Sequence, residues 1–176
     1  MMLTKLTNTA VDRVAPDRAQ AVRQLLAFGR SDLLCYRADA PADLVERQAR
    51  TWDPLLEWAR TTYSIDLRCG VGIGHVEQPD CAMTALEQAI SRCSDLELAA
   101  LHAAATLTGS AVIAFALAAG HSDAAEAFKA AELDETYQAQ RWGTDEEAER
   151  QSRRKLDELV VIAKLLASMP AQAGLP

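Results

Sequence analysis

SDLELAALHAAATLTGSAVIAFALAAG, residues 94–120, is the stretch that decides the fold. Ser94 and Glu97 stand at capping-box spacing, where each side chain satisfies the other's orphan backbone N–H at a helix start. From residue 103 to 120 no side chain is charged. Gly120 then supplies the residue type that most readily terminates a helix. The spacing predicts one long helix, apolar on nearly every side, and such a helix belongs in the middle of a bundle. Ser110 falls mid-helix in this scheme, as a small residue that permits close packing. A membrane span is the competing use, but it wants about 20 predominantly apolar residues with basic flanks. Thr106, Thr108, Gly109 and Ser110 interrupt the run, Ala makes up much of the rest, and no Lys/Arg cluster adjoins it.

The segments on either side supply the surrounding helices. Residues 3–13 form a short helix with Leu3, Leu6 and Ala10 on one face, and Pro16 starts a second helix that Gly29 ends. Pro41 opens a third, whose inward row runs through Leu44, Val45, Gln48, Trp52 and Leu55, with Pro54 set to kink or restart it. Met83, Leu86 and Ile90 mark another amphipathic helix. Ser122-Asp123 caps the next one, through Ala127, Phe128 and Leu133. Thr144-Asp145-Glu146-Glu147 starts the last, with Leu156, Leu159, Val160, Ala163 and Leu166 inward. Two brief strands, residues 33–37 and 65–71, pair with each other. The expected architecture is mainly α: antiparallel helices bundled around the central apolar helix, with a minor two-stranded β element. Residues 1–169 make one helical domain and residues 170–176 a flexible C-terminal tail.

Composition agrees. Hydrophobic residues are 49% and aromatics only 5% of the 176, so the core is built from Ala, Leu, Ile and Val, which suits helix-on-helix packing. The net charge of −7 opposes nucleic-acid binding, because phosphate tracking needs an excess of Lys and Arg. Cys35, Cys69, Cys81 and Cys93 give neither a C-x-x-C pair nor zinc-finger spacing. Without a signal-peptide pattern at the start, free thiols in a reducing compartment follow.

Catalytic motifs fail one by one. Gly70, Gly72 and Gly74 follow a strand, but residues 75–79 separate them from the next helix and no Lys-Ser/Thr pair follows, so no phosphate cradle forms. A small enzyme or ligand-binding domain with its site in the 70–79 loop is the alternative class of function. Cys69, His75 and Cys81 match no recognised metal cage, His102 sits in the central helix, and Ser110 lacks the second glycine of a nucleophile elbow. No cofactor, metal or catalytic residue is assigned.

Two constellations remain. Trp52 and Trp58, six apart, cannot share one helical face. Core filling on both sides of Pro54 would account for them. Around Tyr137 and Trp142, the residues Asp134, Glu135, Gln138 and Arg141 lie at helical spacings, and Gly143 ends the element. A polar stripe edged by aromatics has the composition of an interface hot spot. A solvated helix face with Trp142 folded back over the helix end fits equally well.

At these residues the chain closely resembles the F1-ATPase assembly chaperone family that binds the isolated α subunit, the mitochondrial assembly factor 2 and its bacterial relatives. The matching segments are LTKLTNTAVDRV (3–14), DLLCYR (32–37), Gln48 to Trp58, ELAALH (97–102), LTGS (107–110), and Leu133 to Gly143 with Asp145 and Glu146. The resemblance implies a chaperone without ATP hydrolysis of its own, which holds new α subunit by the surface that later pairs with β. It implies a bacterial cytoplasmic or mitochondrial matrix location. It also places the functionally important acidic position in Leu133-Asp134-Glu135, with Glu135 first and Asp134, Gln138, Arg141 and Trp142 beside it. Family members carry a β-rich domain before the helical one, and this chain begins near that boundary. That domain is therefore expected to be missing, which leaves open a folded fragment unable to bind alone.

Overall fold

The computed structural model describes residues 4, 8–72, 74–143 and 145–169. The expectations placed on Leu3, Leu6, Thr144 and the tail from Pro170 lie outside the described residues. Among these residues the chain forms a π turn (Ala10–Val14), α1 (Arg18–Arg30), a 3-10 turn (Leu33–Cys35), β1 (Tyr36–Arg37), α2 (Ala42–Tyr63) and β2 (Gly70–Val71). It continues with α3 (Asp80–Ser91), α4 (Asp95–Thr108), α5 (Ala111–Ala118), α6 (Ala124–Ala131), α7 (Leu133–Trp142) and α8 (Glu146–Ala167). The architecture is mainly α with a minor two-stranded β element, as the sequence pattern requires.

The central stretch is buried as expected but it is two helices, not one. The Ser94–Glu97 capping box forms in both directions. Thr108 then ends α4, Gly109 adopts φ 70°, and Ser110 becomes the N-cap of α5, its hydroxyl accepting the Ile113 N–H at 3.0 Å. Ser110 is thus a cap, not a mid-helix packing residue. A buried break leaves orphan backbone groups, each of which needs a partner. The 32–34 segment supplies several. The Asp32 carboxylate accepts from Val112 N–H and from Leu34 N–H, both at 3.1 Å, and the Leu33 N–H donates to the Gly109 carbonyl at 3.1 Å. Burial pushes the Asp32 carboxyl up to about 6 against the pull of these donors.

α4 and α5 form the hub. α4 touches the π turn, α1, α5, α6 and α8, while α5 touches α1, α2, α4, α6 and α8. Residues 111–117 are all buried, so α5 has no polar face. Arg18 of α1 bonds Asp95 at 2.5 Å and the Cys93 carbonyl, which fixes α1 against the start of α4.

Other expectations shift locally. The second helix starts at Arg18, two residues after Pro16, with Asp17 as its cap through a 3.0 Å bond from Gln20 N–H. Gly29 does not end α1. It lies inside the helix where Leu86 of α3 approaches so closely that a Cβ would meet Leu86 Cδ2 at 2.3 Å. Pro54 neither ends nor restarts α2. Both Pro54 and Arg50, whose carbonyl loses its partner, are exposed, so water can satisfy that group. Ser64 at φ 60° closes α2, with Ile65 N–H bonding the Ala59 carbonyl. The strands are shorter than the alternation suggested, two residues each, parallel, with Tyr36 opposite Gly70 and Arg37 opposite Val71. In α8 the fully buried residues are Leu159, Ile162 and Leu166, whereas Leu156, Val160 and Ala163 are half-buried.

Candidate functional site

The aromatic constellations resolve first. Trp52 is fully buried and donates its indole N–H to the Ala130 carbonyl at 2.9 Å, tying α2 to α6. Trp58 is half-buried and stacks on His121, rings 4.7 Å apart and 10° from parallel, with Tyr63 edge-on at 5.4 Å. Both serve packing, and they do so along one continuous helix.

The second constellation is α7, the ten residues Leu133–Trp142, closed by Gly143 at φ 83°. It touches α2 and α6 and sits at the edge of the bundle. Its side chains divide into two rows at the i, i+3, i+7 spacing that places residues on one helical face. Asp134, Tyr137 and Arg141 turn toward α2. Glu135, Gln138 and Trp142, one residue further along, are exposed.

The inner row is held by a compact polar network. Gln48 of α2 is only 2% exposed, accepts from Ala38 N–H at 2.9 Å and donates to Asp134 Oδ1 at 2.8 Å. The buried Tyr137 donates its hydroxyl to Asp43 at 2.8 Å, and Arg141 reaches the same carboxylate at 3.5 Å. The Arg47 and Arg141 guanidiniums lie 5.3 and 4.8 Å from the Tyr137 ring centre, and Arg47 also donates to Gln140 at 2.7 Å. The Tyr137 hydrogen bond, then the Arg141 charge, hold the Asp43 carboxyl below its ordinary range. Burial and the bond to Asp43 push the Tyr137 phenol up.

Among the described residues no hydrogen bond or ion pair holds the outer row in this way. Trp142 is 77% exposed, which excludes its folding back over the helix end. Glu135 lies where this row meets a groove between α7 and α8, about 480 Å³ in volume, which Glu132, Thr136, Ala139, Gln151 and Lys155 also line. The floor of the groove is pinned by Lys155, which donates to the nearly buried Glu132 at 2.7 Å.

The five residues singled out from the sequence therefore share one helix but not one role in the geometry. Asp134 and Arg141 join α7 to the bundle; Glu135, Gln138 and Trp142 face outward. Asp43, Arg47, Gln48, Glu132 and Lys155 were not singled out as site residues. Gln48 did leave a trace, as a polar residue within the apolar row of α2.

The described end of the 70–79 loop packs back against its start. Gln78 bonds both backbone groups of Arg68, at 2.8 and 3.0 Å, and Val76 lies so close to Gly70 that a Cβ there would meet it at 2.4 Å. Among the described residues no group of three His, Cys, Asp or Glu side chains is placed to hold a metal ion, and no helix is long and apolar enough to cross a membrane.

Residues 1–60 match the ATP12 chaperone protein family. Atp12 from Paracoccus denitrificans is 38% identical with a TM-score of 0.90 over 95% of this chain and 72% of its own. A point variant of the Paracoccus denitrificans Atp12p gives 37% and 0.90, covering 95% of this chain and 71% of its own. A candidate chaperone from Agrobacterium tumefaciens gives 38% and 0.90, over 97% of this chain but 64% of its own.

Proposed function

The chain belongs to the ATP12 chaperone family, and from that membership we propose that it is an assembly chaperone of F1-ATPase. It binds the unassembled α subunit, prevents its aggregation and yields it to β during assembly. The role needs no bond-making chemistry, and the chain acts without catalysis or ATP hydrolysis of its own.

The observation that carries the choice of surface is the outward row of α7. An exposed Trp beside a carboxylate and an amide, on a helix fixed from behind by partly buried hydrogen bonds, combines the anchor residue type of interface hot spots with low ordering cost. Glu135 is the first contact residue in this proposal, with Gln138 and Trp142 beside it. Asp134 and Arg141 contribute by holding the helix in place.

Co-expression with the α subunit tests the role. The expected result is more soluble α and a complex of the two on gel filtration. Failure to retain α, when a version carrying the β-rich domain of its relatives succeeds, would make this chain a fragment that cannot bind alone. Glu135→Lys tests the surface: it weakens capture of α while the helical circular dichroism signal is unchanged. Undiminished capture by both Glu135→Lys and Trp142→Ala would place the contact elsewhere.

A further inference from the structure

The short β1–β2 pair brings two cysteines together. Cys35 and Cys69 each immediately precede a residue of the first registered pair, Tyr36 and Gly70, so they stand side by side at the end of the ladder. Neighbouring strands run about 4.8 Å apart, within the Cα separation that a disulfide spans. Cys69 Sγ lies 3.8 Å from the carbonyl of Leu34, the residue before Cys35, and the two thiols are near enough to perturb each other through hydrogen bonding. The pair is asymmetric: Cys35 is fully buried and Cys69 is exposed.

The surroundings divide the two further. Arg37 Nη2 lies 4.0 Å from Cys69 Sγ, and its guanidinium is held by the Leu34 carbonyl and Asp53, both at 2.7 Å, and by the Trp52 ring. Hydrogen bonding with Cys35 and the charge of Arg37 lower the Cys69 thiol to about 6, against burial and the Asp53 carboxylate. Cys35 goes the other way, pushed up by that same hydrogen bonding, by burial and by the neighbouring Asp32. An accessible thiolate beside a protonated, buried thiol is the arrangement of an attacking and a resolving cysteine.

We propose that Cys35 and Cys69 form a reversible dithiol–disulfide site whose co-reactant is a low-molecular-weight disulfide. The Cys69 thiolate attacks one sulfur of that disulfide, forming a mixed disulfide and expelling the other half as a thiolate. Cys35 then attacks the Cys69 sulfur, closing the intramolecular bond. Its proton passes to the second departing thiolate. The protein loses two electrons, the small disulfide gains them, and two small thiols leave. The closed bond joins the end of the 3-10 turn to the residue before β2, closing a loop that contains α2, the helix that anchors α7.

Oxidised glutathione is the probe, with the full chain as it stands and non-reducing peptide mapping by mass spectrometry as the readout. The expected product is a Cys35–Cys69 cross-linked peptide, with two glutathione thiols released for each one formed. Cys35→Ser stops at a glutathione adduct on Cys69, Cys69→Ser gives neither cross-link nor adduct at Cys35, and Cys81→Ser leaves the cross-link unchanged. Should Cys35→Ser unfold the chain, the wild-type map and Cys69→Ser still decide the matter. Iodoacetamide labelling of Cys69 should reach half its plateau rate near pH 6, running about tenfold faster at pH 5.5 than for an unperturbed thiol. A glutathione adduct persisting on wild-type Cys69, reaction chiefly at Cys81, or a labelling midpoint above about pH 8 would overturn the proposal.

Discussion

Removing Gln48 tests whether the α2–α7 junction is held as described. Its amide satisfies one backbone donor, Ala38 N–H, and makes one charge-assisted bond to Asp134, all at 2% exposure. Gln48→Leu keeps most of the volume and deletes both bonds. Leaving a buried donor unsatisfied costs about 1–3 kcal/mol, and a hydrogen bond to a charged group contributes about 1.5–3 kcal/mol. Ala38 and Asp134 are both only half-buried and can recover water, so neither figure is lost in full. The expected total is about 3 kcal/mol, a fall in Tm of roughly 6–12 °C for a chain of this size.

Gln48→Glu separates the two bonds. It keeps the acceptor for Ala38 but sets a second carboxylate against Asp134, so it should destabilise at neutral pH and recover as acid protonates one of the pair. Adding Asp134→Asn restores a donor opposite the new carboxylate and should return about 1–2 kcal/mol in a double-mutant cycle. Urea denaturation of Gln48→Leu and of the four proteins of the cycle, with the slopes compared to confirm a common unfolding reaction, gives the numbers. If Asp134→Asn adds its own loss instead of returning stability, or if Gln48→Leu costs under about 0.5 kcal/mol, the network does not hold the junction.

Ser110→Ala removes the cap of a buried helix and should cost about 1–2 kcal/mol in urea denaturation, where a mid-helix serine would be neutral or slightly improved by the change. Gly29→Ala drives a methyl into Leu86 and should cost about 1–3 kcal/mol by the same assay; stabilisation would mean that α1 and α3 are not in such close contact. Asp32 titrates at about 6 in the folded chain against 3.8 as its reference, so its contribution is full below about pH 4 and is lost as pH rises through about 6. Relative to Asp32→Asn, wild-type stability should therefore gain about 2 kcal/mol between pH 7.5 and 4.5, and a constant difference would show that Asp32 titrates normally.

The sequence made the helices legible and left the break in the centre hidden for a physical reason. Residues 98–117 hold no Asp, Glu, Lys or Arg on either side of the break, and residues 111–117 are all apolar, so periodicity carries little phase whose slip could be noticed. Gly109 followed by Ser110 is a helix-end signal followed by a helix-start signal, but its meaning depends on Asp32 being there to receive the Val112 N–H, 80 residues away in the chain. The strands were read too long because Ile65 and Leu67 pack against the helical core and produce alternation without a ladder. The residues of α7 were legible as a group. Which of them face inward was not, since that rests on Gln48 and Asp43, contributed by a helix that begins 91 residues before α7 does.

That division into rows bears on how any binding defect is interpreted. An isolated helix of ten residues is marginal in water, so the shape of α7 depends on the bonds that the inner row makes to α2. A substitution at Asp134, Tyr137 or Arg141 will weaken partner capture by letting the helix fray, even if none of these side chains touches the partner. A substitution at Glu135, Gln138 or Trp142 leaves those bonds in place, so a loss of capture there must come from the contact itself. Capture and the urea midpoint therefore have to be measured on the same variants. The two should fall together for Gln48→Leu and Tyr137→Phe, while for Glu135→Lys and Trp142→Ala capture falls alone. A Glu135→Lys protein whose midpoint drops as far as that of Gln48→Leu would put Glu135 among the residues that build α7 and remove it from the proposed contact surface.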